Sequence, residues 1–96
     1  MDKITTTIRE EPLRQIVDGS KLVEYREIKP YWTKRFQSVS RPFLLRLING
    51  MRSKAPEATL LITRVRKNQR NGYYELHIGA VRGVRHFSRT AARRKR

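Results

Sequence analysis

The chain has 96 residues and a formal net charge of +15, because 23 lysine and arginine residues stand against 8 aspartate and glutamate residues. This length predicts one domain with a modest core, and the absence of cysteine excludes disulfides and thiolate metal ligands. The N-terminus lacks the apolar run of a signal peptide and no segment is apolar enough to span a membrane, so we expect a cytoplasmic protein without a membrane partner.

The first two predicted elements are a strand and a helix. The β-branched run over residues 3–8 favours a strand. A helix is expected to begin around Pro12, where a missing N–H costs nothing and the preceding acidic side chains complement the helix dipole. Apolar residues from Leu13 to Val17 recur at helical spacing, and Gly19 is typical of the residue that follows a helix.

A second strand and helix follow directly. Residues 22–28 alternate in a way that places Glu24 and Arg26 on the same face of a strand. A short helix over residues 30–36 comes next, because Pro30 is suited to a first helical position. Its Trp32 is expected to face the core.

Strands dominate the second half of the chain. Within the long strand that follows the Asn49–Gly50 turn, strict alternation would place Arg64 and Arg66 on the same face as Leu60. The predicted strands are residues 43–48, 58–67, 73–78 and 80–87, with a hairpin loop over residues 68–72.

The whole pattern predicts an α+β fold. Short strands at regular spacing favour a small β-barrel of about five to six strands with two short helices. This domain is expected to occupy residues 1–87. Residues 88–96 contain no apolar side chain larger than alanine, so they predict a disordered basic C-terminal tail.

The charge is unevenly distributed along the chain. Residues 1–29 carry six bases and six acids, whereas residues 30–96 carry seventeen bases and only two acids, Glu57 and Glu75. So positive a surface attracts polyanions, and each phosphate it neutralises releases counterions. We therefore expect RNA as the partner, with a basic surface that only aids solubility as the alternative.

One candidate site stands out just past the first helix. Lys21, Glu24 and Arg26 bring two cations and one carboxylate close together, either as a small polar pocket or as a ladder of surface ion pairs. In a pocket the two cations would hold polar edges or phosphate, and the carboxylate would accept a base N–H. Of the tyrosines able to stack on a base, Tyr31 is favoured because it flanks this strand and starts a helix.

The same stretch carries a family resemblance. The run Gly19-x-Lys21-x-x-Glu24-x-Arg26, which precedes Pro30-Tyr31-Trp32, resembles the core motif of ASCH domains, small barrels of the PUA-like superfamily. The resemblance implies a PUA-like barrel that binds RNA or a modified nucleoside in a cleft beside the barrel. One bacterial branch removes an acyl group from N4-acetylcytidine, and its catalytic lysine would correspond to Lys21.

Three functions therefore remain open. The first is recognition of RNA or a nucleoside by Lys21, Glu24, Arg26 and Tyr31. The second is hydrolysis of a nucleoside amide or of RNA, with Lys21 and Glu24 as catalytic residues. The third is an accessory protein whose positive surface docks an acidic partner.

Other basic residues are candidates for phosphate contact. They cluster at the long hairpin and in the tail, although charges at a hairpin can also protect an edge strand from aggregation. No metal site or cofactor is expected, because neither histidine has a carboxylate at ligand spacing. The nucleic-acid-binding candidates are Arg64, Arg66, Lys67, Arg70, Arg93, Arg94, Lys95 and Arg96.

Overall fold

The computed structural model describes residues 1–87. The expected basic tail, with the candidates Arg93, Arg94, Lys95 and Arg96, lies outside the described residues. Five strands and two helices follow one another along the described chain. They are β1 (Lys3–Thr7), α1 (Glu10–Val17), β2 (Val23–Glu27), α2 (Pro30–Gln37), β3 (Phe43–Ile48), β4 (Glu57–Asn68) and β5 (Tyr73–Arg85).

The five strands form one curved sheet in the order β1-β3-β4-β5-β2. β1 runs parallel to β3, and the other neighbours are antiparallel. The two edge strands, β1 and β2, are not joined by a backbone ladder in the described residues, so the sheet is a half-barrel. Across this open side, Arg26 Nη2 donates a hydrogen bond to the carbonyl oxygen of Thr7 at 3.1 Å.

Helix α1 begins and ends as its sequence predicts. Pro12 lies in the first turn, after two acidic residues, and the helix buries Leu13 and Ile16. Gly19 follows with a φ of +88°, a left-handed conformation that L side chains disfavour. The chain therefore turns sharply enough to enter β2 a few residues later.

Helix α2 packs its aromatic side chains onto the concave face of the sheet. Phe36 is buried, stacks on Trp32 at a ring separation of 5.4 Å and meets Tyr74 edge-to-face at 4.9 Å. Thr33 Oγ1 and the Tyr74 hydroxyl lie 2.6 Å apart and share a hydrogen bond. The expectation that Trp32 faces the core is confirmed, since it packs against the buried cluster. That cluster also includes Ile4, Leu13, Ile16, Phe43, Leu45, Leu47, Leu60, Ile62 and Leu76.

One expectation about the last strands is wrong. Residues 73–78 and 80–87 form a single strand, β5, because Gly79 is accommodated as an irregularity in the register with β4 instead of breaking the strand. A Cβ on Gly79 would lie 2.5 Å from the Thr63 methyl group, so any larger residue at this close passage would force Thr63 to move. The described residues thus supply five strands, within the expected five to six.

A neighbouring irregularity reverses the faces of β4. Ile62 pairs with Ile78 and Arg64 with His77, so Thr63 is an extra residue in β4. Val65 consequently packs against the core, and Arg64 turns to the outer, convex face instead of sharing a face with Leu60. A bulge shifts every later side chain to the opposite face.

The convex face carries an ion pair near the end of β3 and the start of β4. Arg46 donates from Nε and Nη2 to the two carboxylate oxygens of Glu57 at 2.8 and 2.7 Å. The Glu57 side chain is 8% exposed and that of Arg46 is 36% exposed. The hydrogen bonds from Arg46, with the charges of Arg85 and His86, hold the pKa of Glu57 below its ordinary value, against the opposing effect of burial.

We expect this pair to make stability depend on pH in the acid range. Because folding lowers the pKa of Glu57, its carboxylate stabilises the fold above the ordinary value of 4.5, and this contribution is lost as pH falls through the lowered value. Glu57→Gln should therefore lower Tm by roughly 4–8 °C above about pH 5.5, the shift that about 1 kcal/mol produces in a domain of this size. Thermal unfolding followed by circular dichroism checks this.

The difference in Tm between wild type and Glu57→Gln should shrink as pH falls below 4.5 and through the lowered pKa of Glu57, since the carboxyl group is then protonated in both states. Glu11→Gln is the control, since Glu11 is exposed and has no ion pair within residues 1–87. A constant difference across this pH range would show that Glu57 contributes through packing and not through its charge.

Candidate functional site

The open side of the half-barrel contains a cavity of about 510 Å³. One wall is the junction between β1 and α1, residues 7–9 with Pro12, and the opposite wall is the start of β2 with Lys21. Asn49 closes one end and is fixed there, because its Nδ2 donates to the carbonyl oxygen of Ile8 at 2.9 Å. We call this space the edge cavity, since it lies between the two edge strands of the sheet.

Local hydrogen bonds bring Lys21 to the mouth of the edge cavity. After α1 ends, the Lys21 amide donates to the carbonyl oxygen of Gln15 at 3.0 Å. The amide and hydroxyl of Ser20 donate to Asp18 Oδ1 at 2.9 and 2.7 Å, and they lower the pKa of Asp18. The turn between α1 and β2 is therefore tied back onto the helix, which fixes the direction in which Lys21 leaves it.

Glu24 is the buried charge of the site. The residue is 4% exposed and faces the concave side of the sheet, opposite Leu76 of β5. Its Oε1 lies 2.9 Å from Lys21 Nζ and its Oε2 lies 2.8 Å from Arg26 Nη2. A carboxylate this deeply buried needs such partners, because desolvation of an unpaired charge is costly.

Arg26 connects the carboxylate to two other parts of the fold. The guanidinium pairs with Glu24, donates to the Thr7 carbonyl, and lies 5.3 Å from the Trp32 ring centroid as a cation–π contact. Its Nε is buried without a hydrogen-bond partner within residues 1–87. The site therefore retains a buried donor beside a paired carboxylate.

The structure brings together Lys21, Glu24 and Arg26 but places Tyr31 elsewhere. Tyr31 does not line the edge cavity; it packs edge-to-face on Trp32 at 5.0 Å and lies beneath the Arg35 guanidinium. Tyr25 lines the cavity instead, half exposed, with Lys21 Nζ 5.8 Å from its ring centroid.

Little in the amino-acid sequence indicates the second wall of the cavity. Residues 7–9 and Asn49 are far from Lys21 in the sequence, and they reach the cavity because β1 and β2 are the two edges of one curved sheet. Tyr25 is next to Glu24, but strict alternation assigns it to the other face of β2. Since β2 is an edge strand, a side chain from that face can still reach the rim of the cavity.

The basic candidates of the hairpin do not share one surface. Arg64 and Arg66 lie on the convex face, where Arg66 Nη1 is 3.5 Å from Glu75 Oε1. Lys67 lies on the concave side and lines a separate cavity beside α2, and Arg70 is exposed in the hairpin loop. The four side chains are exposed, but a nucleic acid would have to approach from at least two different directions to contact all of them.

Comparisons with known proteins identify no relative of this chain. No family model, no curated protein and no solved structure matches the chain. Within residues 1–87, no three histidine, aspartate or glutamate side chains come together as metal ligands. No helix in this part of the chain is long and apolar enough to cross a bilayer.

Proposed function

We propose that this protein binds single-stranded RNA as an ASCH-like, PUA-like domain, and that the edge cavity takes an unstacked base or nucleoside. The observation that carries the proposal is the buried Glu24 carboxylate held between two cations in a cavity of about 510 Å³. Sites for small ligands typically measure about 300–1,000 Å³ and combine apolar walls with a few fixed polar groups.

The paired groups can read the polar edge of a base. Each carboxylate oxygen of Glu24 forms one ion pair and keeps a lone pair that can accept a hydrogen bond from a base N–H. Lys21 Nζ and Arg26 Nε retain donors for a carbonyl oxygen or ring nitrogen. Because the ion pairs hold these groups in place before a ligand arrives, little entropy is lost on binding.

Tyr25 is the stacking group that the geometry favours. Its ring lies at the wall of the cavity and is half exposed, so a base entering beside Glu24 can lie against it. Stacking on an aromatic ring is tolerant of base identity and contributes about 1–3 kcal/mol per base. The net charge of +15 adds a salt-sensitive attraction to the phosphate backbone.

The ion pair of Lys21 supports binding over hydrolysis. A lysine that attacks an acyl group must present its amine to the substrate, whereas Lys21 Nζ lies 2.9 Å from Glu24 Oε1 and is engaged there. In the proposed site Lys21 is therefore a donor, and Glu24 is the acceptor that orients it.

Tyr25→Ala tests this function. We expect it to weaken binding of a single-stranded RNA oligonucleotide by roughly tenfold or more, because one base loses its stacking partner. Binding to heparin should be unchanged, since no charge is removed. Fluorescence anisotropy at several salt concentrations measures both affinities.

Tyr31→Ala is the matched control. Tyr31 is also an exposed tyrosine beneath a basic side chain, but it does not line the edge cavity. The proposal requires Tyr25→Ala to weaken RNA binding while Tyr31→Ala does not. Two outcomes would contradict the proposal and indicate a purely electrostatic binder. In the first, both variants lose affinity for RNA and for heparin in parallel. In the second, neither variant changes either affinity.

A further inference from the structure

A second cavity of about 290 Å³ lies on the other side of the Asn49–Gly50 turn. It is formed by the end of β3, the start of β4, the end of β5 and the loop over residues 50–55, and we call it the loop cavity. Its charged lining consists of one carboxylate, Glu57, and a set of basic side chains: Arg46, Arg52, Lys54, Arg85 and His86.

The single carboxylate is already occupied. Both oxygens of Glu57 accept hydrogen bonds from Arg46. Within residues 1–87, Arg52, Lys54 and Arg85 form no ion pair. Within the described residues the loop cavity therefore gathers three exposed cationic side chains that have no carboxylate partner, and their combined field attracts anions.

The backbone around the loop cavity is constrained in an unusual way. Lys54 has a φ of 59° and His86 a φ of 61°, and they are the non-glycine residues with positive φ within residues 1–87. Both line this cavity. Such conformations are uncommon outside glycine and cluster at ligand sites, where the surrounding structure enforces them.

The loop that carries Arg52 and Lys54 is fixed at both ends. The Asn49 amide donates to the Pro56 carbonyl oxygen at 2.8 Å, and the Ala55 amide donates to the Arg52 carbonyl oxygen at 3.3 Å. Ala55 is itself buried against the fold. The basic side chains therefore project from a closed loop with a defined shape.

We propose that the loop cavity binds a phosphate group, and that this group is a phosphodiester of the same RNA chain whose base enters the edge cavity. Guanidinium groups suit phosphate oxygens because their N–H donors match them in pairs. Arg85 faces Glu57 across the β4–β5 ladder and has no carboxylate of its own in the described residues. It is the principal phosphate ligand.

The two cavities are close enough to engage one short oligonucleotide. Asn49 lines the edge cavity and Gly50, the next residue, lines the loop cavity. A guanidinium nitrogen of Arg52 lies 3.5 Å from where a Cβ on Gly50 would be, so this side chain covers the turn between them. The RNA assignment rests on the proposed function, whereas the phosphate site itself stands on the loop cavity alone.

Inorganic phosphate is the first probe. In an NMR titration of the full chain, we expect phosphate to shift the amide signals of Gly50, Lys54 and His86 in the wild type, and not in Arg85→Gln. Arg82→Gln is the matched control, because it removes the same charge from an exposed residue of β5 that does not line the cavity. Shifts that are absent from the wild type, or equal in Arg85→Gln and Arg82→Gln, would overturn the site.

Trinucleotides and nucleosides of each base are the second probe. Arg85→Gln should weaken trinucleotide binding about tenfold and reduce its salt dependence, because one phosphate contact is lost. Nucleoside binding should be unchanged, since a nucleoside carries no phosphate. If phosphate binds but Arg85→Gln and Arg82→Gln have equal affinity for trinucleotides, the RNA part of the inference is wrong and the site takes a free anion.

The two proposals fail separately. If Tyr25→Ala has no effect on RNA while phosphate binding still depends on Arg85, the edge cavity loses its proposed role and the phosphate site remains. If Tyr25→Ala weakens RNA binding and phosphate shifts nothing at the loop cavity, the reverse holds.

Discussion

Replacement of Glu24 by alanine is expected to lower the free energy of unfolding by about 3–5 kcal/mol, the usual effect of removing one partner from a buried ion pair. The carboxylate side chain is 6% exposed and pairs with Lys21 and Arg26, whose side chains are 22% and 17% exposed. Without it, two cations share a partly desolvated space, and Arg26 keeps only its contacts with Thr7 and Trp32. Urea denaturation followed by circular dichroism measures the loss.

Glu27→Ala provides the control within the same strand. Glu27 pairs with Lys29 at 2.9 Å, a separation equal to that of Lys21 and Glu24, but both side chains are more than half exposed. Water screens such a pair, so its removal should have little effect on stability. Equal losses for Glu24→Ala and Glu27→Ala would mean that burial does not strengthen the Glu24 cluster, and the edge cavity would lose its fixed geometry.

Phe43→Ala is the second substitution with a large expected effect. Phe43 begins β3, is fully buried, and lies in the middle of the cluster between α2 and the sheet, with its ring 6.3 Å from that of Phe36. Removing a buried phenylalanine side chain typically costs about 3–5 kcal/mol, because transfer energy is lost and a cavity is left behind. The midpoint of urea denaturation should fall accordingly.

Leu22→Ala is the matched control for the core substitution. Leu22 is 65% exposed, so its side chain loses little contact when it is shortened. The slope of the denaturation curve should be similar for both variants and the wild type, which would show that the denatured states are comparable. If Phe43→Ala were as stable as Leu22→Ala, α2 would not pack on β3 as described.

Local signals in the sequence predicted the elements well. Pro12 lies in the first turn of α1 and Gly19 follows its end, Pro30 opens α2, and the Asn49–Gly50 pair follows β3, because each of these residues restricts or extends the backbone at its own position. An α+β fold with two helices and a strand-rich second half was therefore within reach of the sequence. Such signals act within a few residues, and no tertiary contact had to be known.

The faces of the long strands could not be predicted in the same way. Alternation assigned Arg64 to the core side of β4, but one extra residue at Thr63 reverses the assignment. Whether Gly79 interrupts a strand or passes beside Thr63 depends on the curvature of the whole sheet, which is a tertiary property.

One wall of the candidate site could be predicted from the sequence, and the opposite wall could not. Lys21, Glu24 and Arg26 lie close in sequence and on neighbouring positions of one strand, so their meeting followed from alternation. The opposite wall required the strand order, and the choice between Tyr25 and Tyr31 required the direction in which α2 leaves β2. Of the loop cavity, only a basic loop can be recognised in the sequence, because the shape of the cavity comes from three strand ends that meet in space.

The contact between Arg26 and Thr7 has a consequence for the size of ligand that can enter. A closed barrel fixes the distance between its walls through a rigid ladder of amide bonds, and widening it would break several of them at once. Here one hydrogen bond of 3.1 Å from a side chain spans the seam. A ligand wider than the cavity would therefore have to break that side-chain contact and no backbone ladder, and every strand would stay paired.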